Sequence, residues 1–141
     1  MEGKIIVVTG ASGALGKVVV ATALAKGARV AAIDHAASTM KATADRIELG
    51  GVDLTGASEA KKAIDAAASH FGKLDALVNI AGGFAFETTA EGDPKTWQRM
   101  YALNVLTALN ASRSAIPHLS ASGAGRIINV GAMGEIGRAH V

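Results

Sequence analysis

Three glycines and one carboxylate in this chain are spaced to hold a phosphorylated ligand. Thr9-Gly10-Ala11-Ser12-Gly13-Ala14-Leu15-Gly16 lies between an apolar run at residues 4–9 and a stretch of helical periodicity at 14–26. Directly after a strand, glycines permit a tight turn and let backbone N–H groups approach a pyrophosphate at the positive end of the following helix. Ser12 can add a hydroxyl to the same anion. Asp34 closes the next apolar run about 20 residues further on, where a carboxylate can hydrogen-bond both ribose hydroxyls of an adenosine. Its charge repels a 2′-phosphate, and the next residue is His35, neither Arg nor Lys. NAD is therefore expected ahead of NADP. The plainer alternatives are a ligand-free glycine turn and a solvated Asp at a strand end; the position of the turn, straight after the first strand, favours the ligand.

Other chemistry is sparse. The chain has no Cys, which excludes disulfides, thiolate metal sites and a Cys nucleophile. His35, His70 and His118 are far apart and lack metal-ligand spacing, and His140 falls in a tail that reads as non-native, so no metal is expected. Trp97 and Tyr101 are expected in the core or in a pocket.

The elements that must position these residues alternate. Residues 4–9 (K-I-I-V-V-T) suit a strand buried on both faces, and 14–26 a helix with Leu15, Val18, Val19, Thr22 and Ala23 on one side, stopped by Gly27. A second strand is expected at 28–33, a short helix in the polar stretch 36–45, and a weaker strand at 47–52 interrupted by Gly50 and Gly51. Thr55 or Ser58 can cap a helix running to Phe71. A fourth strand follows at 75–81. Asp93-Pro94 reads as a cap with Pro in the first helical position; the helix continues through 102–119, and residues 126–130 (R-I-I-N-V) form a fifth strand. Buried strands alternating with helices imply a doubly wound parallel α/β sheet of Rossmann type.

Composition agrees. With 141 residues there is room for one domain. A formal charge of +2 with scattered Lys and Arg offers no basic patch for nucleic acid or lipid headgroups. The N-terminus runs straight into a strand without signal-peptide features, and no apolar stretch approaches the roughly 18–20 residues of a membrane span. A cytoplasmic protein, with no nucleic-acid or membrane partner, is expected.

These motifs, in this order, resemble the short-chain dehydrogenase/reductase family from residue 4 to about 132. Thr9–Gly16 is similar to that family's T-G-x-x-x-G-x-G turn, with Ala14 where the middle glycine usually stands. Val52-Asp53-Leu54 resembles its adenine-contacting segment, which implies that Asp53 reaches the exocyclic amine. Asn79-Ile80-Ala81-Gly82 is similar to its N-N-A-G motif, where Asn braces the sheet and Ala and Gly let the backbone lie along the cofactor ribose. Asn104 matches the family's catalytic-site Asn, whose implied role is to hold a water in a proton relay. The resemblance also implies a sheet order of 3-2-1-4-5, a nicotinamide cofactor, a small carbonyl or alcohol substrate and a homo-oligomeric parent. Gly13-Ala14-Leu15-Gly16, Ala81-Gly82-Gly83-Phe84 and Gly131-Ala132 together resemble its dihydropteridine reductase-like branch.

Two departures bear on catalysis. Ala132 occupies the usual place of the catalytic Ser, and the family's Tyr-x-x-x-Lys is not in the chain, whose single Tyr is Tyr101. The expectation is a dinucleotide-binding domain at residues 1–134, truncated after the fifth strand and inactive by itself. Residues 135–141 (E-I-G-R-A-H-V) read as a non-native tail, being what one reading frame of a common sequencing adapter encodes. The alternatives to an oxidoreductase portion are a non-catalytic dinucleotide sensor or scaffold, and an inert fragment.

Overall fold

The computed structural model describes residues 1–38 and 42–131. The strands are β1 (Ile5–Thr9), β2 (Arg29–Ile33), β3 (Arg46–Leu49), β4 (Ala76–Asn79) and β5 (Arg126–Asn129). The helices are α1 (Ala14–Ala25), α2 (Ala57–Phe71), α3 (Pro94–Tyr101) and α4 (Thr107–Ala121). All strand pairs are parallel, in the order β3-β2-β1-β4-β5. The strand order reverses beside β1, so the connections leaving β1 and β4 pass to opposite faces of the sheet and open the crevice where doubly wound sheets bind ligands.

Two apolar layers cover the sheet. Ile5, Val7, Ala31, Ile33 and Leu77 pack with Ile64 and Phe71 of α2 and Ala111 and Ala115 of α4 on one face. Ile6, Val8, Val30 and Ala32 pack with Val20 and Ala23 of α1 on the other. β1 is buried along its whole length, as its unbroken apolar run requires.

Several local expectations need correction. The buried face of α1 is Gly16, Val20 and Ala23, whereas Leu15 and Val18 are exposed. Gly16 fits the end of this face nearest the turn: a Cβ there would lie 2.1 Å from the Gly10 carbonyl oxygen, which a larger residue would strike. Neither Thr55 nor Ser58 caps α2. Its N-cap is Gly56 without a side-chain bond, and Thr55 is turned to Asp53. No helix forms at 36–38 or 42–45. β3 stops at Leu49, before the glycine pair, where a Cβ on Gly50 would strike the Ser38 amide nitrogen.

Asp93 does cap α3, accepting from the Lys95 amide at 2.9 Å with Pro94 in the first turn. The long helix that follows is not uniform: residues Ala102–Leu106 form a π-helical segment between α3 and α4. Trp97 and Tyr101 are not core residues but more than half exposed at a cleft edge. β5 ends the sheet among the described residues, with Ile127, Ile128 and Val130 open to water. No helix among the described residues is long and apolar enough to cross a membrane.

At the far end of the sheet, Asp75 ties β1 to β4. Its carboxylate accepts from the Ile5 amide at 2.9 Å and pairs with Lys4 at 3.2 Å and Lys73 at 2.9 Å. Burial pushes this carboxyl up, but the Ile5 amide, Lys73 and Lys4 outweigh it and hold it below the usual carboxylate range.

Candidate nucleotide-binding site

β1 delivers the chain to Gly10, whose φ of +64° is accessible to glycine at little cost. A Cβ at Gly10 would also lie 2.8 Å from the Ala81 amide nitrogen, so the β1 and β4 exits touch backbone to backbone. Gly13 closes the turn through its amide to the Gly10 carbonyl at 3.1 Å and becomes the N-cap of α1. That cap offers no side chain, and the first turn holds no acidic residue. Among the described residues, the amides of Ala14, Leu15 and Gly16 consequently meet no protein acceptor. Three open N–H groups at the positive end of a 12-residue helix suit a phosphate.

Asp34 is fastened to this turn. Its Oδ2 accepts from the Ser12 amide at 2.8 Å and its Oδ1 from the Ala36 amide at 2.9 Å. Each oxygen keeps a lone pair for a further donor, which is the geometry a ribose diol needs. The Ser12 amide is thereby committed to Asp34 and is not among the open donors.

One cleft of about 550 Å³ is lined by Gly10, Ser12, Gly13, Ala14, Leu15, Gly16 and Asp34 from the first half of the site. Asp53, Leu54, Ala81 and Gly82 close it from the other side. Asp53 is preorganised: its Oδ1 accepts from the Thr55 hydroxyl at 2.7 Å and the Thr55 amide at 2.9 Å. Those two bonds hold its carboxyl below the ordinary range, with a smaller contribution from His35.

A second cleft of about 940 Å³ adjoins the first, sharing Ile80, Ala81 and Gly82 as a common wall. Asn79 and Asn104 line this one. Asn79 donates from Nδ2 to Ser112 at 3.1 Å and to Asn129 at 2.8 Å, joining β4 to α4 and β5. Asn104 sits in the π-helical segment, a distortion often found at functional positions. Its Oδ1 accepts from the Gly83 amide at 3.1 Å, and its Nδ2 donates to the Gly83 and Met100 carbonyls, both at 2.9 Å. Both amide protons are thus used, and one lone pair of Oδ1 remains. Gly82 makes room for this clasp, since a Cβ there would lie 2.6 Å from Asn104 Oδ1. Among the described residues, no charged side chain lines this second cleft.

Reading along the chain misses several contributors. Thr9, nearly fully buried, accepts from the Ile80 and Ala81 amides at 3.1 and 3.2 Å and so shapes the shared wall. Its signal was legible: it is the polar end of an otherwise apolar strand. Leu103 and Thr107 also line the first cleft, and nothing in their spacing announces it. Ala132 and residues 135–141 lie outside the described residues. Among the described residues, no group of three or more His, Asp and Glu could hold a metal ion.

A family model described as short chain dehydrogenase matches residues 4–140. An uncharacterized oxidoreductase of Methylorubrum extorquens is 36% identical over 141 positions, covering 92% of this chain and 55% of the relative. A 2,3-dihydroxy-2,3-dihydro-p-cumate dehydrogenase of Pseudomonas putida is 36% identical over 140 positions, covering 94% and 54%. The chain spans about half the length of the curated relatives it matches. A solved mutant of a Serratia marcescens short-chain dehydrogenase/reductase superimposes with a TM-score of 0.87 at 32% identity, over 99% of this chain and 61% of that one. With the strand order, the glycine turn and these likenesses in agreement, the chain belongs to the short-chain dehydrogenase family.

Proposed function

We infer that this chain is the dinucleotide-binding portion of an oxidoreductase that moves hydride between a nicotinamide cofactor and a carbonyl or alcohol. The observation that carries this reading is the conjunction at the first cleft: three open helix-terminal amides beside a carboxylate with a free lone pair on each oxygen. In this reading the pyrophosphate lies on Ala14, Leu15 and Gly16, and Asp34 takes the adenosine ribose. Asp53 and Leu54 flank the adenine. Ala81 and Gly82 lie along the second ribose, which directs the nicotinamide into the adjoining cleft beside Asn104. When bound, the nicotinamide supplies the reactive carbon; the chain supplies orientation and electrostatics. NAD is favoured over NADP because Asp34 faces the 2′ position.

Proton transfer is not assigned to any of these 141 residues. Ala132 carries no hydroxyl, and Tyr101 is not followed by Lys at the fourth position. The chain is accordingly expected to bind dinucleotide without turnover, inside a parent of soluble, cytoplasmic, homo-oligomeric type. Trp97, the single Trp, gives a direct assay, because it lines the cleft assigned to nicotinamide. Saturable energy transfer from Trp97 to NADH, competed by NAD and ADP-ribose, is the expected result. Absence of saturation would overturn the reading. Cofactor-dependent turnover that is abolished by Asn104→Ala would show instead that the chain carries its own proton-transfer apparatus.

A further inference from the structure

Asn110 is a polar side chain on α4, 9% exposed, with no role in the reading above. Its Nδ2 donates to the carbonyls of Leu54 and Thr55, each at 3.0 Å. These carbonyls belong to the loop between β3 and α2, whose opposite side lines the first cleft through Val52, Asp53, Leu54 and Thr55. The other bonds of this loop are local or run to the segment after β2: Asp53 N to Glu59, Thr55 to Asp53, Gly56 N to Asp53, Gly51 N to the Ala36 carbonyl, and Val52 N to the Asp34 carbonyl. Among the described residues, Asn110 makes the hydrogen bonds that tie the loop to α4. Thr107, one turn earlier on the same helix, lines the same cleft.

Resting on the dinucleotide reading, we propose that Asn110 is a positioning residue for the adenosine half of the cofactor. It holds the loop that forms the adenine wall at a fixed distance from α4, without itself touching the ligand. An amide is the suitable group because its two N–H donors reach two carbonyls at once. Removing it takes the donor from the buried Leu54 carbonyl and the half-buried Thr55 carbonyl, which frees the loop locally while the β-sheet remains intact.

The test uses the full chain with Asn110→Leu, which fills the volume without donors, and Asn110→Asp, which keeps the shape but presents oxygens to the carbonyls. Hydrogen exchange is measured on the ligand-free protein, and affinities for ADP-ribose and reduced nicotinamide mononucleotide are measured by NMR titration. Exchange at residues 53–56 is expected to rise about tenfold with β1 and β4 unchanged, as loss of two modest hydrogen bonds implies. ADP-ribose affinity is expected to fall about tenfold, while mononucleotide affinity holds. Unchanged loop exchange, or equal weakening of both ligands, would overturn the assignment. So would loss of β1 protection in both variants, which would make Asn110 a general packing residue. If the unsubstituted chain fails to bind ADP-ribose, the dinucleotide reading falls and this assignment with it; if it binds and the variants bind equally, only Asn110 is wrongly assigned.

Discussion

Replacing Asp34 tests the site where structure and electrostatics make opposite demands on two cofactors. Asp34 sits at the end of β2 with each oxygen already held by a backbone amide, Ser12 at 2.8 Å and Ala36 at 2.9 Å. A ribose diol would use the remaining lone pairs, and hydrogen bonds to a charged acceptor contribute about 1.5–3 kcal/mol each when shielded. Here the carboxylate is half-buried, so the pair is worth about 2 kcal/mol together, or roughly 30-fold in NADH affinity. A 2′-phosphate carries close to two charges. At roughly 5 Å in a water-like dielectric, each interacts with the carboxylate by about 0.8 kcal/mol. Asp34→Ala should therefore weaken NADH about 30-fold and strengthen NADPH by up to about tenfold. Lys17 and Arg46 share a small recess with Asp34, and Arg46 is paired there with Glu48. Asp34→Asn separates the two effects, removing the repulsion while keeping one acceptor. Titrations of both cofactors at low and high salt read the outcome, since the repulsive part shrinks with screening. Equal affinities for NADH and NADPH in the unsubstituted chain would refute the reasoning. So would an Asp34→Ala variant whose NADH affinity stays within about twofold.

Other expectations follow from the same structure. Asp75→Asn should destabilise the fold by about 2 kcal/mol at pH 7, because it removes the charge shared by Ile5, Lys4 and Lys73. Because the folded carboxyl titrates below its unfolded value of about 4, that stability is complete above pH 4 and is lost as pH falls through the folded value; the melting temperatures of variant and parent should converge on acidification, and a gap that persists would count against it. Gly16→Ala should cost about 3 kcal/mol, since its Cβ would meet three backbone atoms at 2.1, 2.7 and 2.9 Å, whereas Gly13→Ala, at 3.3 Å from one oxygen, should cost less than about 1 kcal/mol. Denaturant titration of the two variants distinguishes them. β5 presents exposed Ile127, Ile128 and Val130 on the last strand of the described sheet, so the chain should self-associate with concentration, and Ile128→Lys should suppress this in sedimentation velocity. A monomer at every concentration would contradict that expectation.

The sequence by itself determined the five strands and the main helices, their order, and the two features that mark the crevice, though not the absence of a helix at 36–38 and 42–45. Unbroken apolar runs such as Ile5–Thr9 announce buried parallel strands, Gly10 and Gly16 sit where a turn must be tight, and Asp34 and Asp93 stand at element ends where a short polar side chain has local work to do. These are legible because their causes lie within a few residues of chain. Tertiary structure alone decided which face of α1 is buried, and that the helix around Asn104 takes a π-helical turn. It also decided that Asn104 clasps Gly83, that Thr9 serves the amides of Ile80 and Ala81, and that Asn110 reaches a loop some 55 residues earlier in the chain. Each of these depends on a partner brought close by the sheet, and a hydrogen bond has no periodicity along the sequence to betray where its other half will come from.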